Sequence, residues 1–211
     1  MINTYLFNDL NEKECDKLEK LNCLEEKEYR TNAYVFKVND LIHEIGIVLD
    51  GSLNIENIDF LGNKTILSNL NVGDVFGETY ALSKERMMVD VITLTKCKIL
   101  FFDVNVLFDD KYKKESWRDK IMSNLLNISS YKNLALSNRI FFTSFKKIRD
   151  KLMAYFSYLS IKNNSKTFNV PFDRQGLADY LNVDRSALSK ELCKMRDDGI
   201  IEFYKNSIKL L

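Results

Sequence analysis

Between residues 31 and 104 the chain runs through short β-branched and aromatic stretches: TNAYVFKV, IGIVL, SLNIENI, KTILSNL, VDVITL and KILFFDV. Six or more such runs, about ten residues apart, predict short strands arranged as a sandwich or barrel. Turn signals separate them at Asn39-Asp40, Asp50-Gly51, Gly62-Asn63 and Asn71-Val72-Gly73-Asp74. Five of the seven glycines, at 46, 51, 62, 73 and 77, fall in this region, as tight turns require. The leading segment, ECDKLEKLNCLEEKEYR, has helical spacing at Cys15, Leu18 and Leu21 and reads as a cap on one end of the sheet.

The period changes after Asp110, and no Gly or Pro occurs between Gly77 and Pro171. Over about 115–137, Trp117, Ile121, Leu125 and Ile128 recur at helical intervals, with Leu126 alongside and an extension to Tyr131 and Leu134. This predicts an amphipathic helix of around six turns. A stripe that long exceeds what a small sheet can cover, so Trp117, Ile121, Leu125 and Ile128 are expected to form a two-helix dimer seam, with packing of the helix on its own domain as the other reading. A second helix is predicted at about 143–160, burying Phe145, Ile148, Leu152, Tyr155, Phe156 and Leu159.

The last forty residues combine several local signals. Asp173 is a good N-cap for a helix from Arg174 to Leu181, with Leu177, Ala178 and Leu181 inward. Asn182-Val183 makes a tight turn, Asn being among the residues that best tolerate the left-handed conformation. Asp184 caps a second helix from Arg185 to about Asp198, closed by Gly199. Its apolar positions are Ala187, Leu188, Leu192 and Met195, leaving Arg185, Ser186, Ser189 and Lys190 on one exposed face. IIEFY-KN-SIKLL then reads as a hairpin with a two-residue turn, completing a winged helix-turn-helix. Such a motif sets one helix in the DNA major groove, where Arg185 and Lys190 can donate to guanine O6 and N7, and Ser186 and Ser189 can reach base edges or phosphates. Arg174 and the wing residue Lys205 are expected to join them at the DNA. Lys146, Lys147, Arg149 and Lys151 are candidate phosphate contacts, whereas Lys111, Lys113 and Lys114 read as a solvated face.

Composition narrows the chemistry. The 211 residues hold 31 Lys+Arg, 30 Asp+Glu, one His and four Cys. One His excludes a zinc site built on several imidazoles and leaves a catalytic jelly roll almost no ligands, so no enzyme is expected. The four Cys, at 15, 23, 97 and 193, are too scattered for an iron–sulfur cluster, His43 reads as a turn or surface residue, and no cofactor is expected. The start carries acids where a secretory signal needs a basic end, and no apolar run can span a bilayer, so a cytoplasmic protein is expected. The net charge of +1 conceals a division: residues 1–138 carry −5 and residues 139–211 carry +6. Near-neutrality therefore does not argue against nucleic acid.

GIVLDGSLNI, the turn NVGDVFGE, the long helix and FDRQGLADYLNVDRSALSKELCKMRDDGII together resemble the Crp/Fnr superfamily of transcriptional regulators, the last motif most closely its clostridial-type members. The resemblance implies an α+β chain: an N-terminal β jelly roll of the cyclic-nucleotide-binding kind (1–110), a long dimerisation helix (111–138) and a C-terminal winged helix-turn-helix domain (139–211). It implies a homodimer on double-stranded DNA, with contact to RNA polymerase open and the small-molecule effector unnamed. In members that bind cyclic nucleotides, a Gly-Glu turn approaches the ribose and an Arg-Ser pair clamps the phosphate. Gly77, Glu78 and Thr79 match that turn, but ungapped alignment back from Cys97 sets Met87 and Met88 at the Arg-Ser positions, with Arg86 one place early. A phosphate without a guanidinium is costly to bury. The expected pocket is accordingly Met-lined and does not take cyclic AMP, with simple core filling as the other reading of the two methionines. The alternative for the whole chain is a small-molecule-binding jelly roll whose winged helix binds protein rather than DNA.

Overall fold

The computed structural model describes residues 4–58 and 64–211; the turn expected at Gly62-Asn63 lies outside them. The chain divides into two compact units, residues 1–131 and 132–211.

The first unit is built from β1 (Leu24–Tyr29), β2 (Tyr34–Phe36), β3 (Glu44–Asp50), β4 (Leu53–Ile58), β5 (Lys64–Leu70), β6 (Val75–Phe76), β7 (Asp90–Thr93) and β8 (Cys97–Asp103). They form two four-stranded antiparallel sheets, ordered β1-β8-β3-β6 and β2-β7-β4-β5. Ile45, Ile47, Ile99, Phe101 and Leu53 fill the core. Phe36 packs its ring edge-to-face at 5.8 Å on both Phe76 and Phe101. The short runs predict a sandwich or barrel of this kind, and the jelly roll is what the resemblance implies.

Two elements depart from the sequence reading. The tail of the leading segment, LEEKEY, is not helical but forms β1 along β8, with Leu24 opposite Phe102 and Glu26 opposite Leu100. Helix α1 (Glu12–Lys20) ends before it, and Asn22 takes a positive φ of 51° that turns the chain. Two acids of β1 are matched across the sheet surface, Glu26 by Lys98 of β8 and Glu28 by Lys96 just before it, both some seventy residues away. The second departure concerns the long helix α3 (Ser116–Thr143), which runs six residues past its expected end because no breaker stops it. Trp117, Ile121 and Leu125 are buried in the jelly-roll core, and Ile128 packs against it. They are intramolecular contacts, not an exposed seam: one face of α3 does find enough of the sheet domain to cover it. The large apolar residues left in solvent on this helix are Met122, Leu126, Tyr131, Leu134, Leu136, Ile140 and Phe141.

Glu14 ties α1 to the start of α3. Asn11 and Glu14 form a reciprocal capping box. The buried Glu14 carboxylate also accepts from Ser116 Oγ at 2.5 Å and from Lys120 Nζ at 2.8 Å. Burial by itself would raise its pKa, but these donors and the Lys120 charge outweigh it and hold Glu14 at about 2, against 4.5 in a free chain. A carboxylate depressed on folding stabilises the fold above pH 4.5, and that contribution is lost as pH falls from 4.5 toward 2. Glu14→Gln is therefore expected to lower the urea midpoint at pH 7 and to flatten its decline between pH 4.5 and pH 3; an unchanged acid limb would contradict this role.

The second unit contains α4 (Ile148–Lys162), β9 (Thr167–Asn169), α5 (Arg174–Leu181), α6 (Arg185–Asp197), β10 (Ile201–Tyr204) and β11 (Ser207–Leu210). The last two strands pair around the turn Lys205-Asn206, and β9, a three-residue strand without a sequence signal of its own, adds to β11. Leu177, Leu181, Leu188, Leu192, Met195, Ile201 and Ile208 form the core. Phe142, from α3, contributes its ring against Tyr155 and Tyr158, while Phe145, expected inside, is only half-buried. No helix among the described residues is long and apolar enough to cross a membrane.

Candidate nucleic-acid interface and effector region

The helix-turn-helix forms as its local signals dictate. Asp173 Oδ1 accepts from Gly176 N–H at 2.7 Å at the start of α5, and Asp184 Oδ1 accepts from Ala187 N–H at 2.8 Å at the start of α6. Asn182 caps α5 in the left-handed conformation at φ 50°. Ala178 is fully buried, and Gly199 closes α6 with φ 70°.

Leu188, Leu192 and Met195 lock α6 inward, which turns its other side to solvent. Arg185 and Lys190 are exposed there, and no hydrogen bond or ion pair among the described residues engages either. Ser189 is half-buried beside them. Ser186 is exposed, but its hydroxyl donates to Asp184 Oδ1 at 2.5 Å, and it serves the cap first. That donation, and then Ala187 N–H, hold the Asp184 carboxyl below its usual range.

Arg174 is placed differently from expectation. Its guanidinium lies 5.0 Å over the Phe203 ring and donates Nη2–H to Lys205 O at 3.1 Å. It pins the wing to α5, and burial lowers its pKa. Lys205 sits at the wing tip with φ 52°, beside the exposed Tyr204. Of the four bases on and before α4, Lys146 and Lys147 are exposed, whereas Arg149 pairs with Glu191 at 2.6 Å and Asp198 at 2.7 Å, and Lys151 is buried. Arg149 and Lys151 therefore hold the fold and do not present their charge to a phosphate.

Sequence reasoning passed over three residues on the solvent side of α6: Cys193, Lys194 and Arg196, all exposed. The available signal was spacing, since Ser186, Lys190 and Cys193 lie at i, i+4 and i+7.

In the jelly roll, Gly77 takes φ 81° at the start of the short helix α2 (Glu78–Ser83). A Cβ there would meet Phe36 Cε2 at 3.1 Å and Ile42 Cδ1 at 3.2 Å, so both conformation and space call for glycine. Glu78 is buried, and Thr79 is exposed. Arg86, Met87 and Met88 do not open a strand; they lie in the loop before β7. Arg86 Nη1 donates to Asn39 O at 2.9 Å at the surface. Met87 is 3% exposed, packed in the core, with its N–H on Asp40 O and its carbonyl accepting from Asn39 N–H. Met88 is 71% exposed. The two methionines consequently do not line one pocket together: one fills the core and the other faces water. A recess of about 310 Å³ lies elsewhere, lined by Phe36, Ile42, His43, Glu44 and Asp103 among others.

Residues 26–109 match the cyclic nucleotide-binding domain family, and residues 150–211 match the Crp-like helix-turn-helix domain family. No curated protein matches the chain. Among solved structures, CLP of Xanthomonas campestris, described as a c-di-GMP responsive global regulator, is 18% identical with a TM-score of 0.57, over 93% of this chain and 98% of that one. The catabolite activator protein of Thermus thermophilus is 15% identical with a TM-score of 0.50, over 99% and 94%. FixK2 of Bradyrhizobium japonicum is 14% identical with a TM-score of 0.51, over 89% and 92%. The chain thus joins a cyclic-nucleotide-binding-like domain to a Crp-like DNA-binding helix-turn-helix domain, the architecture of a Crp/Fnr-type regulator.

Proposed function

We propose that this protein is a homodimeric transcription factor of the clostridial Crp/Fnr type that reads a pseudo-palindromic operator, with α6 of each copy in a major groove. The observation that carries this is the solvent face of α6, where Arg185 and Lys190 stand exposed opposite the buried Leu188, Leu192 and Met195. Arg185, Lys190 and the half-buried Ser189 would read bases, and Lys205 at the wing tip would meet phosphate. Two copies joined along α3 would set half-sites about one helical turn, roughly 34 Å, apart. Because Trp117, Ile121 and Leu125 are taken by the core, the dimer contact falls to the other side of α3, where Met122 and Leu126 are exposed one helical turn apart.

The effector is not cyclic AMP on this reading. Arg86 is turned to a surface carbonyl and Met87 fills the core, so neither offers a donor to a buried phosphate. The fold by itself does not choose an effector, since one protein of similar fold is described as responsive to c-di-GMP and another as a catabolite activator.

Selection of duplexes from a random library, followed by mobility shifts over a salt series, tests the DNA reading. A selected inverted repeat, with affinity falling by about 0.9 log unit per log unit of salt for each phosphate contacted, is the expected result. Failure to select any sequence, with retention of protein partners, would favour a winged helix that binds protein. Calorimetric titration with cyclic AMP is expected to give no saturable heat; tight binding would overturn the pocket argument.

A further inference from the structure

Four successive carbonyls at the C-terminal end of α5 are held by two cations from outside the α5–α6 pair. Arg139, near the end of α3, donates Nη2–H to Asp179 O and Nε–H to Tyr180 O, each at 3.2 Å, with its guanidinium 5.8 Å from the Tyr180 ring centroid. Lys151 on α4 donates Nζ–H to Leu181 O at 3.1 Å and to Asn182 O at 3.3 Å. The last carbonyls of a helix have no partners within it, and they carry the negative end of its dipole. Cationic donors are the strongest partners such groups can find.

Position gives this clamp its meaning. Asn182 and Val183 form the turn, Val183 N–H closes back on Ala178 O at 3.0 Å, and Asp184 already caps α6. The clamp therefore ends three residues before the reading helix begins at Arg185. Lys151 is 8% exposed, so its charge is directed at the turn and not at an external phosphate. Arg149, two residues earlier on α4, grips α6 itself through Glu191 and its C-cap through Asp198.

We propose that Arg139 and Lys151 are positioning residues for DNA recognition, fixing the angle at which α6 presents Arg185 and Lys190. Arg139 also makes the end of α3 a direct contact of the motif, so that a shift of that end is felt at the turn. The proposal rests on the DNA reading above and adds to it two residues that touch no DNA.

The test uses the full-length protein and a duplex selected by the parent. Specific and non-specific affinities of Lys151→Met and Arg139→Gln are measured by fluorescence anisotropy over a salt series, with Lys205→Ala as a phosphate-contact reference. Each clamp variant is expected to lose about tenfold in specific affinity, the loss of one charge-assisted hydrogen-bonded group. Its salt slope is expected to stay that of the parent, whereas Lys205→Ala lowers the slope by about 0.9. Lys151→Arg is expected to restore part of the affinity, and Arg185→Ala to cost less in the Lys151→Met background than in the parent, because a misaimed side chain has less to lose. Three results would overturn the proposal: parental affinity in both variants, a reduced salt slope, or strict additivity with Arg185→Ala. Should Lys151→Met fail to fold by circular dichroism, the exposed Arg139→Gln decides. A parent that selects no sequence defeats the DNA reading and the clamp with it, and is told apart because the parent itself fails.

Discussion

Trp117→Ala is expected to destabilise the jelly-roll unit by about 3–5 kcal/mol, the cost of removing a large aromatic side chain from a packed core. The indole is 1% exposed, with Tyr112 tilted against it at 5.7 Å and Ile121 and Leu125 buried on the same face of α3. The lost transfer free energy and the cavity left behind add, since surrounding strands relax only in part. Urea denaturation at two protein concentrations checks it. A core residue lowers the midpoint by the same amount at both concentrations, while a seam residue acts through dimer dissociation and its effect grows on dilution. Leu126, one helical position from Leu125 but 68% exposed, provides the contrast: Leu126→Asp is a change in water for the monomer and is expected to act on oligomeric state alone. A Trp117→Ala protein with parental stability and only weakened association would return Trp117 to the seam.

Arg185→Ala and Lys190→Ala are each expected to weaken binding to the selected operator by about 1–3 kcal/mol, roughly tenfold to a hundredfold, and to relax base preference at the positions they read. Non-specific binding, which is electrostatic, is expected to fall much less for each single charge removed. The geometry favours a large effect because both side chains are exposed on the face opposite Leu188 and Leu192 and are not engaged elsewhere among the described residues. Arg174→Ala makes an informative comparison. Its guanidinium holds the Lys205 carbonyl and stacks on Phe203, so its loss loosens the wing and leaves base preference intact. Footprints of both α6 variants that match the parent would show that the reading face had been misassigned.

Much of the DNA-binding unit was legible in the sequence because its determinants are local. Asp173 and Asp184 cap the helices that follow them within three residues, and Asn182 supplies the left-handed turn by itself. The period of Leu188, Leu192 and Met195 then leaves only one face for Arg185 and Lys190. The strands β3, β4, β7 and β8 were legible for the same reason, each being a β-branched or aromatic run bounded by its own turn.

The tertiary structure alone decided what depends on residues distant along the chain. LEEKEY has no strong preference of its own; it is a strand because β8 offers a hydrogen-bonding edge, with Lys98 on it and Lys96 just before it to answer Glu26 and Glu28. The stripe on α3 announces that it must be covered but not by what, and the sheet domain took Trp117, Ile121 and Leu125 before any partner could. Met87 and Met88, identical in type and adjacent, part into core and water within the loop before β7, where backbone hydrogen bonds to Asn39 and Asp40 hold Met87 in place and no such bond among the described residues ties Met88. Among the basic residues, charge was visible in the sequence but use was not. Lys146 and Lys147 remain in solvent, while Arg149, Lys151 and Arg174 found carboxylates, carbonyls and an aromatic face within their own unit, which only the packing of helices and wing could bring within reach.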